Sequence, residues 1–278
     1  MTVHLGRRKA EMTRQAITFL CAAALAVAAP VAVAGGRPAG IKKPDPRTPV
    51  LYFGDSIARE SQPFFTEAIE RSHRARVVAT TFRGIAPCDQ YRAMSAASAR
   101  YPRSPVVVSY FGNVLTPCAK AGFKAWAQRA QGDSLANLYR EQLQQTVRYF
   151  PQGLHIWVAI SPTARASDPR DSSGLTRRAK FLKIANELAS SDPRVSVVDA
   201  GASVNAPDGR FALNLPCLAD EPCTNDGRPG YTQVRSADGL HLCPGAHANG
   251  YLRCSRYAAG AVRYGHALAA PVTTLLGL

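Results

Sequence analysis

Short apolar runs alternate with helical patterns along most of the chain, and this alternation restricts its fold more than any other feature. The run at 106–111 is almost continuously apolar, which is typical of a strand buried on both faces in a parallel sheet. The five strand-like runs are 49–53, 77–79, 106–111, 154–160 and 195–198, and the helical patterns lie at 64–69, 133–150, 175–188 and 246–268. The alternation predicts an α/β fold, a three-layer α/β/α sandwich with a mainly parallel five-stranded sheet.

Two segments between these runs have no clear periodicity. Residues 113–133 and 202–236 are expected to be loops, and the residues that line a ligand pocket are expected among them. Ligands of parallel sheets bind at the carboxyl ends of the strands. Chemistry is therefore expected where the apolar runs end.

Residues 1–34 have the three parts of a secretory signal peptide. Four basic residues within 7–14 precede an uncharged run at 16–34, which ends in a small-residue cleavage pattern at Ala34. An uncleaved membrane anchor is the alternative, because a run of this length can just span a bilayer. Pro30 and the weakly apolar alanines favour cleavage. We therefore expect a secreted or cell-envelope protein, attached to the membrane only if the segment is retained.

The remainder of the chain is expected to form one domain. Residues 35–48 are rich in Pro, Gly and Lys and predict a flexible lead-in, and 49–278 hold all the strand and helix patterns. The chain of 278 residues has a net charge of +15, and loss of a segment with four basic residues and one acidic residue leaves +12. Such a charge favours anionic polymers as partners, although a solvated basic surface without a partner is an equal alternative. No nucleic-acid motif is present, and none is expected in an exported protein.

Six cysteines follow the predicted signal peptide. In an oxidising compartment they predict three disulfides, and proximity in the sequence favours Cys217–Cys223 and Cys243–Cys254, which leaves Cys88–Cys118. A zinc site is the alternative. The spacings of five and ten residues within the two close pairs lack the tight C-x2-C pairs of zinc folds, so disulfides are favoured over a metal.

Polar residues follow the ends of several apolar runs. Ser56 follows the first run, where the start of a helix would leave its backbone N–H free, and Asp55 beside it is expected to stabilise the turn. Asp238 and His241 precede the last helix, and a spacing of three residues lets the carboxylate reach the imidazole. Such a histidine can act as a general base toward a serine hydroxyl.

The combined pattern resembles the SGNH hydrolases, or GDSL-type esterases. The four blocks of that family correspond to GDS at 54–56, Gly84, GN at 112–113 and DxxH at 238–241, so the resemblance covers about 49–265. It implies the flavodoxin-like SGNH hydrolase fold. Many members have an Asp after the Asn of the third block, where this chain has Val114.

The resemblance implies a role for each matching residue. Ser56 would be the nucleophile, His241 the base, and Asp238 the residue that orients His241. The backbone N–H groups of Ser56 and Gly84 and the side-chain amide of Asn113 would form the oxyanion hole. The implied chemistry needs neither metal nor organic cofactor.

The expected activity is hydrolysis of an O-acyl ester through an acyl-serine intermediate. The substrate would be a small molecule, a glycan or a lipid that carries the ester, and a cell-wall polysaccharide or glycolipid is one expectation. Two alternatives stay open. One is an O-acyltransferase with the same triad, and the other is a non-catalytic protein that binds the cell wall.

Overall fold

The computed structural model of the chain describes residues 45–129, 133–165, 173–225, 227–244, 254 and 258–278. The predicted signal peptide at 1–34 and residues 35–44 of the predicted lead-in lie outside these residues. The described chain begins three residues before the first strand, at Asp45.

Five parallel strands form the central sheet, in the order β2-β1-β3-β4-β5. They are β1 (Thr48–Gly54), β2 (Ala75–Thr81), β3 (Val106–Ser109), β4 (Ile156–Ala159) and β5 (Val195–Val198). Because every strand runs in the same direction, all five carboxyl ends lie at one edge of the sheet. The predicted strands are confirmed, since each overlaps an apolar run in the sequence.

The described residues form six helices. They are α1 (Ser56–Glu70), α2 (Pro87–Arg100), α3 (Pro117–Gln128), α4 (Ser134–Arg148), α5 (Ser173–Ser191) and α6 (Ala259–Leu276). The segment 202–236, predicted as a loop, contains a small antiparallel pair of strands, β6 (Asn214–Pro216) and β7 (Tyr231–Gln233). A 3₁₀ turn at Ala200–Val204 overlaps the beginning of this segment. Among the described residues, no helix is both long and apolar enough to cross a membrane.

Alternate residues of β1 point into two separate cores. Val50 and Tyr52 belong to a core shared with α1 and α6, whereas Leu51 and Phe53 belong to a core shared with α2, α4 and α5. All four side chains are fully buried. Burial on both faces explains why the strand has no polar alternation. The two cores confirm the predicted three-layer α/β/α sandwich.

The helix α3 lies inside the segment 113–133 that was expected to be a loop, so that prediction is wrong there. Of its residues, Ala119 alone is buried. Helix α2 also gave no helical pattern, because its buried residues are Pro87, Gln90 and Met94 and do not form an apolar stripe. The last helix continues to Leu276, beyond the predicted end at 268. Most of its predicted beginning, 246–253 and 255–257, lies outside the described residues.

Three disulfides join the predicted pairs of cysteines, Cys88–Cys118, Cys217–Cys223 and Cys243–Cys254. The first connects the opening turns of α2 and α3, and its two cysteines are 30 residues apart in sequence. The last connects the chain shortly after His241 to a residue whose Sγ lies against the carbonyl of Glu60 in α1.

Helices α1 and α6 pack closely at Gly265. A Cβ at this position would lie 2.9 Å from the carbonyl oxygen of Ser61 and 3.0 Å from the backbone nitrogen of Phe65. We expect Gly265→Val to force the two helices apart and to lower the free energy of unfolding by about 1–3 kcal/mol. Urea unfolding of the variant measures this. Ala270→Val, on the exposed side of the same helix, should change stability by less than about 0.5 kcal/mol, and equal effects of both would contradict close packing at Gly265.

Candidate active site

Ser56 lies where β1 ends and α1 begins, at the carboxyl edge of the sheet. It is the first residue of α1, and Asp55 caps the helix by accepting the N–H of Ile57 at 3.0 Å. The first N–H groups of a helix have no partner within it, and the helix dipole is positive at this end. The fold therefore holds the Ser56 hydroxyl beside the amino end of a helix, in a favourable field for a developing negative charge.

His241 and Asp238 meet Ser56 although 185 residues separate the histidine from the serine. His241 Nε2 lies 3.0 Å from Ser56 Oγ, and His241 Nδ1 lies 2.6 Å from Asp238 Oδ2. The other carboxylate oxygen of Asp238 accepts the backbone N–H groups of Leu240 and His241 at 2.9 and 3.1 Å. The structure thus brings together the three residues that the sequence predicts as a triad.

Asp238 is held as a carboxylate. Partial burial raises its pKa, but hydrogen bonds from the His241 ring and from the N–H groups of Leu240 and His241 outweigh burial and lower the pKa well below its usual value. A carboxylate bonded to Nδ1 favours the tautomer that carries its proton on that nitrogen. In this tautomer Nε2, which lies 3.0 Å from Ser56 Oγ, carries a lone pair and can accept a hydrogen bond from the hydroxyl.

The other two predicted oxyanion donors lie on the turns after β2 and β3. Gly84 adopts a φ of +66°, a left-handed conformation that other residues rarely take, so a glycine is favoured to direct the backbone there. The Asn113 Nδ2 group donates to Asp55 Oδ2 at 3.2 Å and to the carbonyl of Ile85 at 3.1 Å. An amide has two N–H donors, so Asn113 can bind an oxyanion only by releasing one of these partners.

Asp55 connects the serine turn to the turn after β3. Its Oδ2 atom accepts the backbone N–H of Phe111 at 2.6 Å in addition to the Asn113 amide, and the side chain is fully buried. Burial raises the pKa of Asp55 to about 7, although the backbone N–H groups that donate to it act in the opposite direction. The sequence predicted a turn-stabilising role, and the contact with Phe111 extends that role to a second strand.

Glu60 supports the histidine from the next turn of α1, although none of the sequence motifs includes it. Its Oε2 atom accepts the N–H of Leu242 at 2.6 Å, and the side chain is buried. Burial raises the pKa of Glu60 to about 8. Glu60 follows Ser56 by four residues, so both side chains lie on one face of the helix. This spacing is the sequence signal that could have identified Glu60 as part of the site.

Arg235 holds the Asp238–His241 turn from inside the protein. The side chain is fully buried, and its guanidinium donates to the carbonyls of Thr163 at 2.9 Å, Leu240 at 2.8 Å and His241 at 3.4 Å. Burial lowers the pKa of Arg235 to about 10. No spacing or composition marks this arginine in the sequence, because arginines in loops are usually exposed.

A possible metal-ligand cluster among the described residues consists of Cys88, Asp89 and Cys118. The two cysteines are bonded to each other. Because a thiolate is the form of cysteine that binds metals, the cluster offers only the Asp89 carboxylate while the disulfide is intact.

Comparison with solved structures shows the same fold in known hydrolases. The chain is similar to the lipase/acylhydrolase from Enterococcus faecalis, with a TM-score of 0.52, 14% sequence identity, and coverage of 82% of this chain and 96% of that one. The fold is that of the SGNH hydrolases. The chain is also similar to LAE5, an alpha/beta hydrolase enzyme from the metagenome of Lake Arreo, Spain, with a TM-score of 0.50, 10% identity, and coverage of 83% and 95%. No family model matches the sequence, and no curated protein matches it.

Glu60 makes the stability of this SGNH fold depend on pH. Because its pKa is about 8 in the folded protein and the ordinary value for a glutamate is 4.5, the folded state binds a proton more tightly between these values than the unfolded chain does. The free energy of unfolding therefore decreases as the pH rises through this range. Relative to wild type, we expect Glu60→Gln to gain on the order of 1 kcal/mol of stability between about pH 5 and about pH 8.5.

Urea unfolding of wild type and Glu60→Gln at the two pH values measures this gain. Glu67→Gln is the matched control, since Glu67 lies on the same helix with 67% of its side chain exposed. A difference between Glu60→Gln and wild type that is the same at both pH values would show that Glu60 does not change its ionisation across this range.

Arg235→Lys tests the support of the histidine turn. A lysine keeps the charge but cannot reach three separated carbonyls with one ammonium group. We expect the free energy of unfolding to fall by about 2–4 kcal/mol, because buried carbonyls lose their donors. Arg210→Lys is the control. Arg210 pairs with Asp208, and both side chains are more than half exposed. Equal urea midpoints for both variants would contradict the role of Arg235.

Proposed function

We propose that the protein is an exported serine hydrolase that cleaves O-acyl esters through an acyl-serine intermediate. One observation carries the proposal: a continuous hydrogen-bond path from Ser56 Oγ through the His241 ring to Asp238, with distances of 3.0 and 2.6 Å. A nucleophile, a base and an oriented carboxylate in this geometry perform acyl transfer on several unrelated folds. The SGNH hydrolase fold supports the same assignment.

Acylation begins when Ser56 Oγ attacks the carbonyl carbon of the ester and His241 Nε2 takes the hydroxyl proton. The carbonyl oxygen becomes an oxyanion, which the N–H groups of Ser56 and Gly84 would bind. The tetrahedral intermediate then collapses, the bond to the alcohol oxygen breaks, and His241 donates its proton to that oxygen. Asp238 stabilises the imidazolium that exists between the two proton transfers.

Deacylation repeats these steps with water in place of Ser56. His241 takes a proton from water, the hydroxide attacks the acyl carbon, and Ser56 leaves with the proton returned by His241. The Asn113 amide would join the oxyanion hole by turning away from the Ile85 carbonyl. Removal of one oxyanion-hole donor typically costs about 10²–10³-fold in turnover.

Several observations support action outside the cytoplasm. The three disulfides are typical of an oxidising compartment, and the sequence of residues 1–34 has the pattern of a signal peptide. Esters on cell-wall polysaccharides or glycolipids are substrates that such an enzyme would meet. The net positive charge supports a substrate or surface of negative charge.

Hydrolysis of 4-nitrophenyl acetate by the oxidised protein tests the proposal. We expect Ser56→Ala to reduce kcat at least about 10³-fold, because it removes the hydroxyl that lies 3.0 Å from His241 Nε2. Ser203→Ala is the matched control. Ser203 lies just after β5 at the same edge of the sheet, where its hydroxyl donates to the Ala200 carbonyl, so its loss should leave kcat unchanged.

Equal turnover by wild type and Ser56→Ala would overturn the nucleophile assignment. If the folded wild-type protein hydrolyses no ester of any acyl length but still binds cell walls, it is a binding protein with an SGNH fold. Addition of a sugar acceptor to the active enzyme, followed by product analysis, distinguishes a hydrolase from an O-acyltransferase.

A further inference from the structure

The start of helix α5 packs against the turn that carries Asn113. A Cβ on Gly112 would lie 2.7 Å from the Phe181 ring, and the Arg177 guanidinium lies over the Phe111 ring, 4.6 Å from its centroid. Helix α5 leads from the carboxyl end of β4 to the amino end of β5, so its first turns lie at the edge of the sheet that holds Ser56. Arg177 is one turn closer to that edge than Phe181, which places it at the rim of the candidate active site.

Arg177 is partly buried, and burial lowers its pKa. Within the described part of the chain, the aromatic face of Phe111 is the contact that its guanidinium makes, and no carboxylate or carbonyl accepts from it. The neighbouring arginines at this edge differ in this respect. Arg178 pairs with Asp199, and Arg165 donates to the carbonyl of Ala237.

A guanidinium has five N–H donors, and partial burial without an acceptor is unfavourable for a charged group. Three acidic side chains among the described residues of the site each accept at least one hydrogen bond. Asp238 binds His241, Glu60 binds the N–H of Leu242, and Asp55 binds the N–H of Phe111. At the rim beside Asn113, the N–H groups of the Arg177 guanidinium therefore have no acceptor among the described residues. No described acidic side chain pairs with this guanidinium.

We propose that Arg177 binds a carboxylate of the ester substrate and makes the enzyme selective for acyl esters of acidic molecules. The inference rests on the proposed esterase function and names the substrate class for it. A guanidinium can bind a carboxylate through two parallel hydrogen bonds, which fix position as well as charge. The Phe111 ring below keeps the guanidinium in place and leaves its edge for the ligand.

The carboxylate can belong to the alcohol part of the ester or to its acyl part, and two pairs of probes distinguish these sources. The first pair is O-acetylated oligogalacturonate and the same oligomers after methyl esterification, which removes the charge on the alcohol part. The second pair is the mono-4-nitrophenyl ester of adipic acid and 4-nitrophenyl hexanoate, which have acyl chains of equal length. The measured quantity is kcat/KM for each probe, corrected for the rate with Ser56→Ala.

We expect wild type to prefer the charged member of one pair about tenfold, which is typical of a hydrogen bond between charged groups. Arg177→Gln should lower kcat/KM for the charged member about tenfold. It should change kcat/KM for the neutral member less than about twofold. Arg177→Lys keeps the positive charge but loses the two parallel hydrogen bonds, so it should keep only part of the preference. Lys183→Gln removes the same charge from a position further along α5 and away from this edge, and it should change neither rate.

The proposal is overturned if wild type has equal kcat/KM values for the two members of each pair. It is also overturned if Arg177→Gln lowers kcat/KM equally for both members of a pair. Hydrolysis of the neutral esters in that case would leave the proposed esterase function intact. Calorimetry of oligogalacturonate with Ser56→Ala, and with Ser56→Ala combined with Arg177→Gln, gives a second measurement that needs no turnover. Binding that depends on Arg177 in a protein without esterase activity would support the carboxylate site and refute the proposed function. No binding together with no preference refutes the site.

Discussion

The buried carboxyl group of Asp55 joins the ends of the neighbouring strands β1 and β3 at the point where the candidate site is built. One oxygen begins α1 by accepting the N–H of Ile57, and the other accepts the N–H of Phe111 just after β3. The position of Ser56 therefore depends on the position of Asn113, since one side chain fixes both turns. This arrangement takes a carboxyl group out of water, and the raised pKa of Asp55 reflects that cost.

The fold was predictable wherever burial is strong on both sides. Strand β3 is fully buried, and three of its four residues are valine, so its sequence gives a strong apolar signal. Helices α2 and α3 gave no such signal, because α3 buries Ala119 alone and the buried face of α2 includes Gln90. These helices are positioned by contacts with neighbouring elements and by the bond between Cys88 and Cys118, and periodicity does not record such contacts.

The candidate triad was predictable because its residues occur in short motifs with fixed spacing. The residues that hold the candidate triad in position were not predictable from the sequence. Arg235 is buried because carbonyls from two distant segments, including that of Thr163, converge on it, and a sequence pattern does not show that convergence. Arg177 likewise belongs to no motif, and it stands out only because no acceptor for its guanidinium is found among the described residues. The candidate catalytic residues were recognisable in the sequence, whereas the residues that hold them in position became visible only in the structure.

The bond between Cys88 and Cys118 connects the helices that follow the Gly84 and Asn113 turns. A disulfide forms only where thiols are oxidised, which for an exported chain is after it leaves the cytoplasm. A newly made chain inside the cell contains Ser56, Asp238 and His241 but lacks the link between the two turns. For the exported esterase proposed above, oxidation would then be a maturation step that joins the two turns only after the chain has left the cytoplasm, away from the acyl esters inside the cell.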